Sequence, residues 1–243
     1  MAFRFLFRTL CAAATLVALP IEGPADQGGA SECRLALVLA LDVSASVDGP
    51  EYALLSAGTA RALSSDPVRE AILAHGGVRV AAFEWSGQGQ QRVVSGWRVL
   101  DSDDAIFATA REIAEAGRSF TEFPTALGSA LGHAAIMLRD HAHCLRRVVD
   151  VAGDGPNNHG FQPRHAYNAF DFRGVTVNGL VVADDTGGGG VRPGLEPFEY
   201  YVTEVIRGPG AFVEVASGYA EFEEAMRRKL LREVAPTGVA SAE

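Results

Sequence analysis

The chain has 243 residues, 48% of them hydrophobic, and a formal net charge of −9. That length suits one sizeable α/β domain, and the acidic balance excludes a nucleic-acid groove, because phosphate binding needs a basic surface. The basic residues are almost all arginine, with Lys229 the sole lysine.

The N-terminus reads as a targeting segment. Arg4 and Arg8 precede a short apolar run, Leu10–Leu19, which Pro20 ends, and Gly23-Pro24-Ala25 supplies small residues for cleavage. This pattern predicts a signal peptide over 1–25 and an exported, periplasmic or secreted protein. The competing reading, an uncleaved anchor, is disfavoured because a spanning helix needs roughly 20 apolar residues. Nothing later in the chain is long and apolar enough to span, so no membrane span is expected in the mature protein. Removal of the signal takes Cys11 with it and leaves Cys33 and Cys144.

Strand-like and helix-like stretches then alternate. Leu35–Leu41 is a buried strand, and Glu51–Leu63 is a helix with Tyr52, Leu55, Thr59 and Leu63 on one face. Val78–Trp85 and Arg92–Val99 flank the turn "SGQGQ" and read as an antiparallel hairpin at one edge. Asp101–Ala116 carries an inward stripe of Ile106, Ala110 and Ile113, and Thr125–Leu138 turns Leu127, Leu131, Ala134 and Leu138 toward the core. Arg146–Ala152 is a strand running into Gly153-Asp154-Gly155; a helix near Gln162–Phe172 and a strand at Val175–Val182 follow. The stretch "DDTGGGG" opens a weakly patterned connection, Ala211–Val215 is a last short strand, and Gly218–Arg232 is a closing helix with Phe222, Met226 and Leu230 inward. The expected fold is α/β: a doubly wound, mostly parallel sheet with one antiparallel edge strand and helices on both faces. One domain over 33–232 and a disordered tail over 233–243 complete the organisation.

Cys33 lies nine residues before Asp42 and Cys144 ten before Asp154. If both aspartates end adjacent parallel strands, the two cysteines meet at the other ends, and an oxidising compartment favours a disulfide between them over two free buried thiols.

Ligands of open α/β sheets bind beyond the carboxyl ends of the strands, above all where strand order reverses. Three stretches converge on such a place: "DVSAS" with Asp42, Ser44 and Ser46; "SFTEFPTALGSAL" with Thr121 and Thr125; and "AGDGPNN" with Asp154. Their carboxylates and hydroxyls include no soft ligand, and an all-oxygen set suits a hard cation, Mg²⁺ first and Mn²⁺ or Ca²⁺ after it. Alternate residues leaving a strand project Asp42, Ser44 and Ser46 one way while Val43 and Ala45 face the other.

D-x-S-x-S after the first strand, a distant threonine at a helix start and a later G-D-G resemble the metal-ion-dependent adhesion site of von Willebrand factor type A domains, whose fold is Rossmann-like. The likeness in strand and helix order extends over nearly all of Cys33–Arg232. The stretches "LALDVSASVD", "RRVVDVAGDGPNN", "GVTVNGL" and "GPGAFVEVA" resemble, more narrowly, an exported bacterial family of unknown function, DUF1194. The resemblance implies that Ser44, Ser46 and Thr125 coordinate the ion through hydroxyls, with Asp42 and Asp154 acting directly or through water. One departure is Pro124, where such domains often have glycine; proline restricts both itself and Phe123, which keeps Thr121 in competition with Thr125.

Other readings compete at single residues. Ser44 and Ser46 also suit helix caps, as does Thr125. "HAHC" (His141 to Cys144) lacks a second zinc-spaced pair and reads as a solvated helix-end cluster. Asn157 and His159 read as surface loop or ligand rim, Asp184 and Asp185 as a polar loop, and Trp85 and Trp97 as packing around the hairpin. The leading function is a non-enzymatic module that holds a divalent cation and recruits a carboxylate on a protein partner. Its rivals are a Mg²⁺-dependent aspartyl phosphotransferase with Asp42 as nucleophile, which lacks the second acid and the phosphate-steadying lysine such enzymes use, and a scaffold that holds no metal.

Overall fold

A computed structural model describes Met1, residues 33–183 and residues 195–236. The targeting segment, the Asp184–Asp185 loop and the end of the tail lie outside the described residues. The described residues build a six-stranded sheet in the order β3-β2-β1-β4-β5-β6. The strands are β1 (Leu35–Asp42), β2 (Val78–Trp85), β3 (Gln91–Val99), β4 (Arg146–Gly153), β5 (Val175–Val182) and β6 (Val213–Ala216). Every neighbouring pair is parallel except β2 with β3, which is antiparallel. Strand order therefore reverses at the central pair β1 and β4.

The wholly buried β1 shows why the sheet is covered on both faces. Its odd-numbered Leu35, Leu37, Leu39 and Leu41 pack into one core with α1 (Gly49–Ser64), α2 (Asp66–His75), α3 (Asp103–Glu115) and α7 (Phe222–Val234). The small even-numbered Ala36, Val38 and Ala40 face a second core built with α4 (Leu127–Leu138) and α5 (Pro163–Ala169). A strand apolar on both faces cannot lie at a solvated surface, so it takes the centre of a parallel sheet.

Several boundaries differ from the sequence reading. Helix α2 was not expected; Asp66 and Pro67 restart the chain after Ser65, whose extended backbone ends α1. The weakly patterned connection contains α6 (Leu195–Tyr200) and a π-helical turn, Tyr201–Val205, in which Tyr201 is fully buried. Two aromatic anchors, Tyr200 and Tyr201, give this segment its place without any helical stripe. The last helix continues to Val234, two residues past Arg232, because Arg34 and Arg146 donate to the terminal carbonyls of Glu233, Val234 and Ala235 at 2.8–2.9 Å. These guanidiniums satisfy acceptors that a helix end otherwise leaves open.

Cys33 and Cys144 form a disulfide at the lower ends of β1 and β4, across 111 residues of sequence. Beside it, His141 is buried and stacks on Trp97 with ring centroids 3.9 Å apart, so this histidine packs in the fold and is not the solvated residue expected. Cys33, Cys144 and His143 approach one another within 4.8 Å, but both sulfurs are spent on the disulfide. Lys229 is also fully buried, held by Asp150 at 2.7 Å and Glu233 at 2.5 Å. Among the described residues, no helix is long and apolar enough to cross a membrane.

Candidate metal centre

The upper ends of β1 and β4, at the reversal point of the sheet, carry the two aspartates. Asp42 is the last residue of β1 and is fully buried. Its Oδ1 accepts from the backbone N–H of Ser44 at 2.8 Å, which turns the chain so that Ser44 faces back over the strand end. Arg118 closes the turn from below, its Nη2 donating to the carbonyls of Val43 (3.2 Å) and Ser44 (2.9 Å). Neither serine caps α1. Asp48 does, accepting from Glu51 N at 2.8 Å while the Glu51 carboxylate accepts from Asp48 N at 2.7 Å, a reciprocal capping box.

Thr125 reaches the same place on a loop fastened at both ends. Ser86, just beyond β2, donates through its hydroxyl to Phe123 O at 2.9 Å and accepts at its carbonyl from Ala126 N at 2.8 Å. Ala45 N donates to Phe123 O at 2.9 Å, joining this loop to the serine turn. From the other side, Asn158 Oδ1 accepts from Thr125 N at 2.9 Å, and the N–H groups of Asn158 and His159 donate to Thr125 O at 3.0 and 3.1 Å. Asn157, buried and not a surface residue, accepts at Oδ1 from Gly128 N at 3.1 Å. Helix α4 begins at Leu127 with Ala126 at its cap position, so Thr125 is not the first helical residue and its hydroxyl is not used as a cap.

That hydroxyl instead donates to Ser44 Oγ at 3.2 Å. Ser44 Oγ lies 3.3 Å from Ser46 Oγ, and Ser46 Oγ donates to Asp154 Oδ1 at 3.0 Å. Asp42, Ser44, Ser46, Thr125 and Asp154 are thus brought together. Thr121 is not among them; it is exposed and its hydroxyl makes no hydrogen bond with the described residues.

Two features set the electrostatics. Asp42 Oδ2 is buried with no hydrogen-bond partner among the described residues. Burial, reinforced by the charge of Asp154, pushes the Asp42 carboxyl up to about 8 despite the opposing bonds from Ser44. Such an unmatched buried acceptor is costly unless something compensates it. Gly153 is required beside it: a Cβ there would stand 2.5 Å from the Tyr201 hydroxyl and 3.0 Å from Asp42 Oδ2. Across the opening, the Tyr219 hydroxyl donates to Asp154 Oδ2 at 3.4 Å. Ser46, Thr125, Asp154, Pro156, Val182 and Tyr219 line much of a cavity of about 360 Å³. The donor set fits a hard cation: three hydroxyl oxygens and two carboxylates, no nitrogen or sulfur, and one buried carboxylate oxygen lacking a partner.

Sequence reasoning missed Asn158, Arg118, Tyr201 and Tyr219. Of these only Asn158 was signalled, since the paired asparagines after "GDGP" are residues that bond neighbouring backbone. The others meet the site only through the fold.

Comparison with known proteins bears on the whole domain. A family described as "Protein of unknown function (DUF1194)" matches residues 32–238. No curated protein matches the sequence significantly. Among solved structures, the chain is similar to a von Willebrand factor type A protein from Catenulispora acidiphila, with a TM-score of 0.60 at 18% identity over 83% of this chain and 43% of that one. Proximal thread matrix protein 1 from the mussel byssus, described as having a zinc-occupied MIDAS motif, aligns with a TM-score of 0.58 at 16% identity over 83% of this chain and 46% of that one. The conserved hypothetical protein BatB from Bacteroides thetaiotaomicron aligns with a TM-score of 0.56 at 14% identity, over 82% of this chain and 98% of BatB. The chain spans less than half the length of the first two, and at these identities the likeness establishes the fold alone.

Proposed function

The chain belongs to the DUF1194 family and has a von Willebrand factor type A fold, and from that premise we propose that it is an exported, non-enzymatic binding module whose metal site recruits a carboxylate of a protein partner. The observation that carries this reading is the unbroken run of oxygen contacts from Thr125 through Ser44 and Ser46 to Asp154, beside an Asp42 oxygen that has no hydrogen-bond partner among the described residues. Ser44, Ser46 and Thr125 would hold Mg²⁺ or a similar ion through hydroxyls, and Asp42 and Asp154 would balance its charge. Bound there, the ion supplies an electrophilic position that a partner's carboxylate completes. Asn158 and Arg118 keep the hydroxyl-bearing turns at their spacing, and Gly153 leaves room for Asp42 and Tyr201. The zinc-occupied MIDAS of the mussel protein supports a divalent ion at this place in the fold.

The non-enzymatic part of the proposal draws support from Asp42 and Lys229. A phosphoryl acceptor must meet its substrate, whereas Asp42 is fully buried beneath Ser44. Lys229 is locked between Asp150 and Glu233 on the opposite face of the sheet from Asp42, so it has no path to a phosphate at the site. The predicted signal segment underlies the proposed periplasmic or secreted location.

The test is a Mg²⁺ titration followed by binding to an immobilised acidic peptide, with and without chelator, for wild type and for Asp42→Ala and Ser46→Ala. Metal-dependent binding that both substitutions weaken supports the module; binding indifferent to chelator and to both changes contradicts it.

A further inference from the structure

The cavity beside the hydroxyl cluster is too large for the ion alone. At about 360 Å³ it falls in the size range of small ligand pockets, so the group next to a recruited carboxylate enters it too. Among the described residues its walls are asymmetric in charge. Glu51 stands on the wall with Asp154, and none of the described residues lining the cavity is Lys, Arg or His. Arg118, close by in space, directs its Nη2 to the carbonyls under the serine turn. Glu51 Oε2 accepts from Asp48 N, which fixes the side chain in place on the first turn of α1. A divalent ion would offset Asp42 and Asp154, and no cationic side chain among the described residues lines the cavity to offset Glu51 at its edge.

We infer that Glu51 is a specificity-determining residue of this site, selecting ligands in which the recruited carboxylate is flanked by a cationic side chain. This rests on the carboxylate-recruiting reading above. The overall charge of −9 favours the same ligand class, because an acidic surface repels a uniformly acidic partner at long range and attracts a basic surround.

Isothermal titration of Mg²⁺-loaded protein with four acetylated, amidated tripeptides tests it: Lys-Asp-Gly, Gly-Asp-Gly, Leu-Asp-Gly and Glu-Asp-Gly. The wild type is expected to bind the lysine peptide tightest and the glutamate peptide weakest, each step being roughly three- to fivefold, the size of one partly exposed ion pair. In Glu51→Gln, which keeps the cap because glutamine also closes a capping box, the preference for the lysine peptide over the glycine peptide should disappear. Equal affinity for all four peptides, a preference for the leucine peptide, or a lysine preference surviving in Glu51→Gln would overturn the inference and leave the metal-dependent recruitment standing. Binding of none of the four, with Mg²⁺ bound, would remove the recruitment itself and the selectivity with it.

Discussion

Thr125 Oγ1 donates to Ser44 Oγ at 3.2 Å, joining hydroxyls 81 residues apart in sequence. Hydroxyls buried face to face at a strand end do little for the core that alanines would not do. Their value lies in the lone pairs they turn toward one point together with Ser46 and the two aspartates.

Positioning of Thr125 depends on Asn158, which holds both its N–H and, through its own N–H, its carbonyl. Asn158→Ala should weaken Mg²⁺ binding by roughly tenfold, as loss of an orienting partner commonly does. Thr125→Ala should weaken it further, and Thr121→Ala should leave it unchanged. The Mg²⁺-induced rise in melting temperature reads all three. An effect of Thr121→Ala as large as that of Thr125→Ala would transfer the role to the neighbouring threonine.

Proton and metal compete for Asp42. Burial raises its carboxyl from the ordinary 3.8 to about 8. Between those values the metal-free fold keeps a proton that the unfolded chain has lost, so metal-free stability falls as pH rises through that window. Metal binding needs the bare carboxylate, so Mg²⁺ affinity moves the opposite way, rising until about pH 8 and releasing a proton below it. Asp42→Asn should flatten the first slope only in part, because burial also raises Asp150. Denaturant midpoints and Mg²⁺ isotherms at pH 5, 6.5 and 8 give both trends.

The disulfide and the site lie at opposite ends of β1 and β4. Replacing Cys33 and Cys144 together by alanine releases a loop of 111 residues and should cost about 2–5 kcal/mol. Mg²⁺ affinity of the folded fraction should stay near wild type. A loss of metal binding out of proportion to unfolding would mean that the lower end of the strands sets the geometry of the upper.

Lys229 holds two buried carboxylates, Asp150 and Glu233, and Asn178 Nδ2 adds a bond to Glu233 at 2.7 Å. Lys229→Met removes the ammonium that both acids share and should destabilise by about 3–5 kcal/mol. Adding Asp150→Asn should recover part of that loss. Urea unfolding at neutral and acidic pH checks it, the deficit shrinking at acidic pH as Asp150, whose carboxyl burial raises, takes up a proton.

The fold was legible wherever one physical pattern dominated a stretch. β1 is an apolar run that ends in Asp42, and β2 and β5 are mostly apolar segments rich in valine whose observed limits match the expected ones. The disulfide followed from counting residues along two parallel strands. The pattern failed where burial is set by distant partners. Tyr201 anchors a π-helical turn that has no periodicity of its own, and Lys229 looks like a helix-surface residue until Asp150 arrives from β4. At the site the five oxygen-bearing residues that the fold brings together were candidates in the sequence, with Thr121 left competing with Thr125, because they lie at strand ends or close before a helix. Arg118 and Tyr219 could not, since what they do depends on the path of chain segments far from them in sequence.

The most direct measurement is a crystal soaked in Mn²⁺ and read by anomalous scattering. The account predicts one peak bonded to the hydroxyl oxygens of Ser44, Ser46 and Thr125 and adjacent to Asp42 and Asp154, absent in Ser46→Ala. An ordered cluster showing no peak there, or Mn²⁺ seated elsewhere with these hydroxyls still bonded only to one another, would contradict it.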